Sequence, residues 1–234
     1  FAGLITLYHS FLKKRPIASE KVSRVLYLPP KIFLRTPLEE IGRLMIESRV
    51  YQLPVFEQNG EFKGMVSYRS LLRHMKNLPE MQNQVKDVFL LHQPIFIFLK
   101  DDIDKARHLM LDKKTSRLVV LDREGKTIGI LSSFDLRRLA TSPIDSIRPF
   151  SLTPDKVSLG SRKVEEFYHP GLVSVLANQP ANLVLKNILE EDVGSVLIFN
   201  HPQDKVPAGI LSVRDILKYF VQSGKNITPQ KLVF

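Results

Sequence analysis

Gly129-Ile130-Leu131-Ser132-Ser133-Phe134-Asp135 returns along the chain as Gly209-Ile210-Leu211-Ser212-Val213-Arg214-Asp215. A looser copy is Gly64-Met65-Val66-Ser67-Tyr68-Arg69-Ser70, and the chain opens on a fourth, Gly3-Leu4-Ile5-Thr6-Leu7-Tyr8-His9. The glycines are spaced 61, 65 and 80 residues apart (64 − 3, 129 − 64, 209 − 129). Self-similarity at near-regular spacing marks one supersecondary unit used repeatedly. The phrase itself reads as a strand running into a helix. Glycine admits close approach of a backbone or a ligand, and the two apolar residues finish a buried strand. Ser132 and Ser212 stand where an N-cap hydroxyl belongs, with Asp135 and Asp215 three residues on. A helix N-terminus facing a cleft offers free N–H groups to an anion.

Working outward from the phrase, the same order of elements precedes each copy. In the first full repeat, Lys31–Leu34 reads as a strand. Thr36-Pro37-Leu38-Glu39 reads as a helix start with Thr36 as N-cap and Pro37 at the first helical position. Leu38, Ile41, Leu44 and Met45 then form one apolar face. Leu53–Phe56 and Phe62–Val66 are strands about an Asn59-Gly60 turn. In the second repeat, Ile95–Leu99 is a strand, Asp101 a cap, and Ile103, Ala106, Leu109 and Met110 a helix face. The strands Arg117–Leu121 and Thr127–Leu131 follow. In the third, the elements are Leu172–Leu176, a cap at Asn178, a helix over Pro180–Leu189, strands over Ser195–Phe199 and Val206–Leu211, and a last helix over Asp215–Val221. Each unit is β-α-β-β-α, so the fold class is α/β in the form of α+β repeats. The expected organisation is the end of a truncated repeat over 1–20, repeats over 21–80 and 84–142, a Pro-rich linker over 143–168, a repeat over 169–222 and a tail over 223–234. One unit of about 60 residues buries too little surface alone, which predicts that the units pair.

These features resemble CBS domains. The resemblance is carried by the β-α-β-β-α order, the Leu53-Pro54-Val55 strand and the Gly-x-x-Ser-x-x-Asp phrases, and it covers three full repeats and the opening fragment. It implies repeats paired into Bateman modules, with two pseudo-symmetric clefts that often bind AMP, ADP, ATP or S-adenosylmethionine. In the family motif the Asp accepts hydrogen bonds from ribose hydroxyls and the Ser/Thr contacts phosphate or ribose. Ser132 with Asp135 and Ser212 with Asp215 match fully, whereas Ser70 and His9 stand where the other two copies would carry the acid. The better nucleotide candidate is therefore the module formed by the second and third repeats. The resemblance further places adenine contacts near Pro94 and Ile95, with Ser195 a looser analogue in the third repeat. Arg117, with Ser116 beside it, and Arg214 are the cations expected near phosphate. Homodimers through such modules are common in the family, so a dimer is an expectation as well.

Composition bounds the alternatives. The chain has 234 residues with 44% hydrophobic, enough for two compact domains. It has no Cys, so disulfides and thiolate metal sites are ruled out, which fits a cytoplasmic setting. No apolar run approaches the roughly 20 residues of a membrane helix. The chain begins on Phe1, inside a copy of the phrase, so residues ahead of it are expected. The net charge of +10 suits phosphate-bearing partners, and it equally suits a solvated basic surface. The six histidines (His9, His74, His92, His108, His169 and His201) show no metal-ligand spacing and read as surface or satisfied residues. Asp101, Asp102 and Asp104 read as helix-start acids rather than a metal cluster. There is no phosphate-binding loop, nucleophile elbow or nucleophile paired with a base, so the chain is expected not to be an enzyme and to require no cofactor.

Two functional readings follow. One is a regulatory sensor with an adenine nucleotide as its ligand. The other is an interaction scaffold for protein, RNA or DNA, or the regulatory part of a larger enzyme or transporter. Under the second reading the Ser-x-x-Asp phrases are capping boxes and nothing more.

Overall fold

The computed structural model describes residue 4, residues 26–139 (backbone only for 137–139) and residues 162–223. The opening copy of the phrase with His9, most of the predicted linker and the tail lie outside the described residues. The first repeat runs β1 (Ile32–Phe33), α1 (Leu38–Ser48), β2 (Gln52–Phe56), β3 (Phe62–Ser67) and α2 (Tyr68–Met75). A 3-10 turn (Pro79–Gln82) and the short α3 (Val85–Val88) lead to the second repeat. This is β4 (Phe96–Phe98), α4 (Ile103–Asp112), β5 (Arg117–Leu121), β6 (Thr127–Ser132) and α5 (Ser133–Leu139). A 3-10 turn (Val164–Glu166) and β7 (His169–Pro170) precede the third: β8 (Ser174–Leu176), α6 (Asn182–Glu190), β9 (Ser195–Phe199), β10 (Gly209–Ser212) and α7 (Val213–Gln222). In every repeat the first strand pairs parallel with the second, across the helix that parallel pairing requires, and the second pairs antiparallel with the third. Gly60 at φ +86° and Gly125 at φ +73° take the left-handed conformation in the first two hairpin turns.

The predicted caps Thr36, Asp101 and Asn178 are corrected. The helices begin at Leu38, Ile103 and Asn182, after Pro37, Asp102 and Ala181. A different polar bond repeats instead, two or three residues before each helix. Phe33 N donates to Thr36 Oγ1, Phe98 N to Asp101 Oδ2 and Leu176 N to Gln179 Oε1, each at 2.9 Å. Three different side chains close the same turn out of the first strand, so a short polar group there serves the turn and not the helix.

The repeats pack in two distinct ways. The first and third share one core through their helices. α1 lies on α7 and α2 on α6, with Leu38, Ile41, Met45, Leu71, Leu72 and Met75 buried against Val184, Leu185, Ile188, Ile216, Leu217 and Phe220. Gly42 brings α1 within close reach of α7, since a Cβ there would sit 3.1 Å from Val221 Cγ2. Each such fully buried side chain contributes about 1.5–3 kcal/mol by leaving water. The second and third repeats meet sheet to sheet instead. Val119 and Leu121 of β5 pack on Leu197 and Phe199 of β9, flanked by Phe96, Ile130, Leu176 and Ile210. The second repeat keeps its own helix-side core of Ile97, Ile103, Ala106, Met110, Leu118, Val120, Leu131 and Leu136, into which Val164 also inserts. The chain therefore rejoins the second repeat by Arg162, whose carbonyl accepts from Ile103 N at 3.1 Å.

Candidate ligand site between the second and third repeats

Both full phrases fold as the sequence pattern dictates. At the β6–α5 junction Asp135 Oδ2 accepts from Ser132 N at 2.7 Å and from Ser132 Oγ at 2.6 Å, and Asp135 N donates to Ser132 Oγ at 3.3 Å. At the β10–α7 junction the equivalent distances are 3.0, 2.6 and 3.4 Å. These are reciprocal capping boxes, and each consumes one carboxylate oxygen. The second oxygen decides what else the acid does.

That oxygen meets a histidine in both cases. His169 Nε2 is hydrogen-bonded to Asp135 Oδ1 at 2.6 Å, and His92 Nε2 lies 3.2 Å from Asp215 Oδ1. Each histidine comes from the lead-in segment ahead of the opposite repeat. His169 pairs with Ile130 of β6 and His92 with Ile210 of β10, the same position of the phrase in each copy. The phrase glycines make this crossing feasible. A Cβ on Gly129 would stand 2.1 Å from the His169 carbonyl oxygen, and one on Gly209 would stand 2.8 Å from Leu91 Cβ. The close approach that glycine permits here is to the chain's own lead-in segments.

Arg117 sits between the two sets. It opens β5 in register with Ser132, as Ser195 opens β9 in register with Ser212. Its guanidinium crosses to the third repeat, where Gly194 leaves room: a Cβ there would be 2.5 Å from Arg117 Nη2. Burial pushes the Arg117 pKa below its ordinary value, opposed by the nearby Tyr51, Asp215, Asp135 and Tyr68. Its side-chain hydrogen bond is to Ser116 Oγ at 3.2 Å, and it has no ion pair among the described residues. A half-buried guanidinium held near two carboxylates, without a direct ion pair, is suited to receive an added anion.

The other predicted residues fall around this centre unevenly. Ser195 is buried, Ser116 is exposed, and Arg214 is half-buried on the first turn of α7 with no ion pair among the described residues. Pro94 is buried, while the carbonyl of Ile95 accepts from Val119 N at 2.8 Å and its side chain packs on the second repeat's core. The three clustered acids each face a cation: Asp101 pairs with Lys105, Asp102 with Lys163 and Asp104 with Arg107. No group of three acid or histidine side chains able to hold a metal ion occurs among the described residues, nor does any helix there have the length and apolar character to cross a membrane. A separate cavity of about 340 Å³ lies at the hairpin end of the sheet pair, with Lys126, Thr127, Leu172, Phe199 and Lys205 among its lining residues. None of its lining residues belongs to the two carboxylate sets. Sequence reasoning read His92 and His169 as surface or satisfied residues without foreseeing their pairing with Asp215 and Asp135, and it missed Gly194. The histidines stand at matching places in the two lead-ins, but three residues separate His92 from β4 and four separate His169 from β8, so the match is out of step.

Comparison with known proteins bears on this geometry. The CBS domain family model matches residues 22–77, 85–142 and 164–222. Over 207 residues the chain is 23% identical to uncharacterized protein MJ1404 of Methanocaldococcus jannaschii, covering 88% of this chain and 48% of that one. It thus spans about half the length of that curated relative. Protein MJ1225 of the same organism has a similar fold, with a TM-score of 0.64 at 17% identity over 92% of this chain and 77% of its own. An uncharacterized conserved protein from Pyrococcus horikoshii gives a TM-score of 0.60 at 17% identity, covering 83% of this chain and 80% of its own.

Proposed function

This chain belongs to the CBS-domain family, and from that premise we propose that it is a regulatory sensor that binds an adenine nucleotide between its second and third repeats. The observation that carries the reading is the position of Arg117, in register with Ser132 of one Ser-x-x-Asp phrase while its guanidinium reaches Gly194 of the other repeat. A carboxylate accepts from paired ribose hydroxyls through charge-assisted bonds contributing about 1.5–3 kcal/mol each. A guanidinium and the free N–H groups of a helix start take the phosphate. The ligand needs contacts from both repeats at once, so its presence is transmitted as a change in how they pack. That change acts on a partner or on self-association through the module, in the cytoplasm, without catalysis by this chain.

A thermal-shift screen against AMP, ADP, ATP, S-adenosylmethionine and a short RNA at two salt concentrations tests this. A ligand at a hundred times its dissociation constant stabilises the fold by about 2.7 kcal/mol, or several degrees. The expected result is a shift with an adenosine ligand that vanishes in the Asp135→Ala/Asp215→Ala double variant. No shift with any nucleotide, together with a salt-sensitive shift with RNA, overturns the sensor reading in favour of the basic scaffold.

A further inference from the structure

The cavity at the hairpin end of the sheet pair lies apart from the two carboxylate sets and has a chemistry of its own. Its volume of about 340 Å³ falls at the lower end of the roughly 300–1,000 Å³ typical of small-molecule sites. Leu172, Val175, Leu176 and Phe199 give it apolar lining, and Lys126, Thr127, Asp204 and Lys205 give it polar lining from the hairpins of two repeats. The third repeat's hairpin is the longest of the three. From the end of its second strand to the phrase glycine it spans 10 residues (209 − 199), against 8 in the other two (64 − 56, 129 − 121). It reaches the second repeat, where the Lys205 carbonyl accepts from Thr127 N at 2.8 Å and Lys205 Nζ donates to the Glu124 carbonyl at 3.5 Å.

Thr127 is out of place as a purely structural residue. It is 2% exposed, and its Oγ1 is buried with no hydrogen-bond partner among the described residues. The residue two before the phrase glycine is Phe62 in the first repeat and Pro207 in the third, so the fold asks for no hydroxyl at this position. A buried hydroxyl left unpaired is destabilising relative to an apolar group of the same shape. The charged lining is unbalanced as well. Lys126 and Lys205 have no ion pair among the described residues, whereas Asp204 is engaged, accepting from His201 N at 2.9 Å. Two lysines against one aspartate leave the lining with a single net positive charge.

We propose that this cavity is a separate ligand site, for a small monocarboxylate with a compact apolar body. The carboxylate is held by Lys126 and Lys205 and accepts from Thr127 Oγ1, which gains the partner it lacks. The apolar body lies against Leu172, Leu176 and Phe199. The single net positive charge and the apolar lining favour such a monoanion over inorganic phosphate.

Calorimetric titration of phenylacetate and of its neutral counterpart phenylacetamide into the full chain tests the assignment. Phenylacetate is expected to saturate one site per chain, and phenylacetamide to bind about tenfold more weakly or worse. The double variant Lys126→Met/Lys205→Met weakens phenylacetate about tenfold or more. Thr127→Val keeps the shape of the side chain and the backbone bond to Lys205. It is expected to raise the Tm of the ligand-free chain by about 2–4 °C while weakening phenylacetate about threefold to tenfold. A Tm that falls instead overturns the role given to the hydroxyl. AMP should not displace phenylacetate. No saturable binding of phenylacetate, or binding unchanged in both variants, overturns the proposal and leaves the nucleotide reading where it stands. Displacement of phenylacetate by AMP overturns both, since it places the nucleotide in this cavity.

Discussion

The Asp135 and Asp215 sets begin from the same phrase and end in different states. In the first, a hydroxyl, an amide and an imidazole use up the carboxylate, and a paired strand seals it. In the second, the carboxylate is 18% exposed and the lead-in meets the phrase itself through one isolated bridge, its other bonds to the third repeat lying upstream at Asn83, Val85 and Lys86. A capping box therefore does not decide between structural and binding roles. What decides is how tightly the opposite repeat's lead-in crosses the phrase.

Substitutions at the crossing glycines should separate the two regions most strongly. Gly129→Ala puts a methyl into the His169 carbonyl, a backbone atom, and should cost about 3 kcal/mol or more in urea unfolding. Gly209→Ala meets the Leu91 side chain instead and should cost about 1–2 kcal/mol. Equal losses would erase the contrast in crossing. Removing the acids comes next. Asp135→Ala removes the cap from a buried site together with the bond to the exposed His169 imidazole and should cost about 1–2 kcal/mol, against about 1 kcal/mol for Asp215→Ala, where mainly the cap is lost. Gly194→Ala sharpens the comparison from the ligand side. Its methyl displaces only the flexible end of Arg117, so stability should change by less than about 1 kcal/mol while AMP affinity falls roughly tenfold. The smallest effect is expected away from both sets, at the first repeat's seam with the third. There Arg69 pairs with the largely exposed Asp192, and Arg69→Ala should lower stability by less than about 1 kcal/mol with no effect on AMP binding.

The repeat architecture was legible because its signals are local. The phrases, the Asn59-Gly60 turn and the apolar faces of α1 and α4 each lie within a single element or turn. Thr36 and Asp101 were misread as caps because they bond backward, to the strand they follow, and the residue that does so in the third repeat is Gln179 rather than the expected cap Asn178; sequence pattern alone does not separate that bond from a forward cap. His92 and His169 read correctly as surface or satisfied residues, but the acids that satisfy them were not legible, for a different reason. Each serves a carboxylate in a repeat on the far side of a crossing, and neither lies inside a repeat's own periodic elements. Gly194 carries its meaning only through the guanidinium that arrives from Arg117. Long-range complementarity of this kind leaves no local pattern, whereas the Ser-x-x-Asp spacing that marks both sites does.

The most direct test of the account is a crystal structure of the full chain grown with AMP. The account predicts adenosine bound between the second and third repeats, with its ribose hydroxyls on Asp135 or Asp215 and its phosphate beside Arg117. Density for AMP only in the hairpin-end cavity beside Lys126 and Lys205, or no density for it between the second and third repeats, would contradict it.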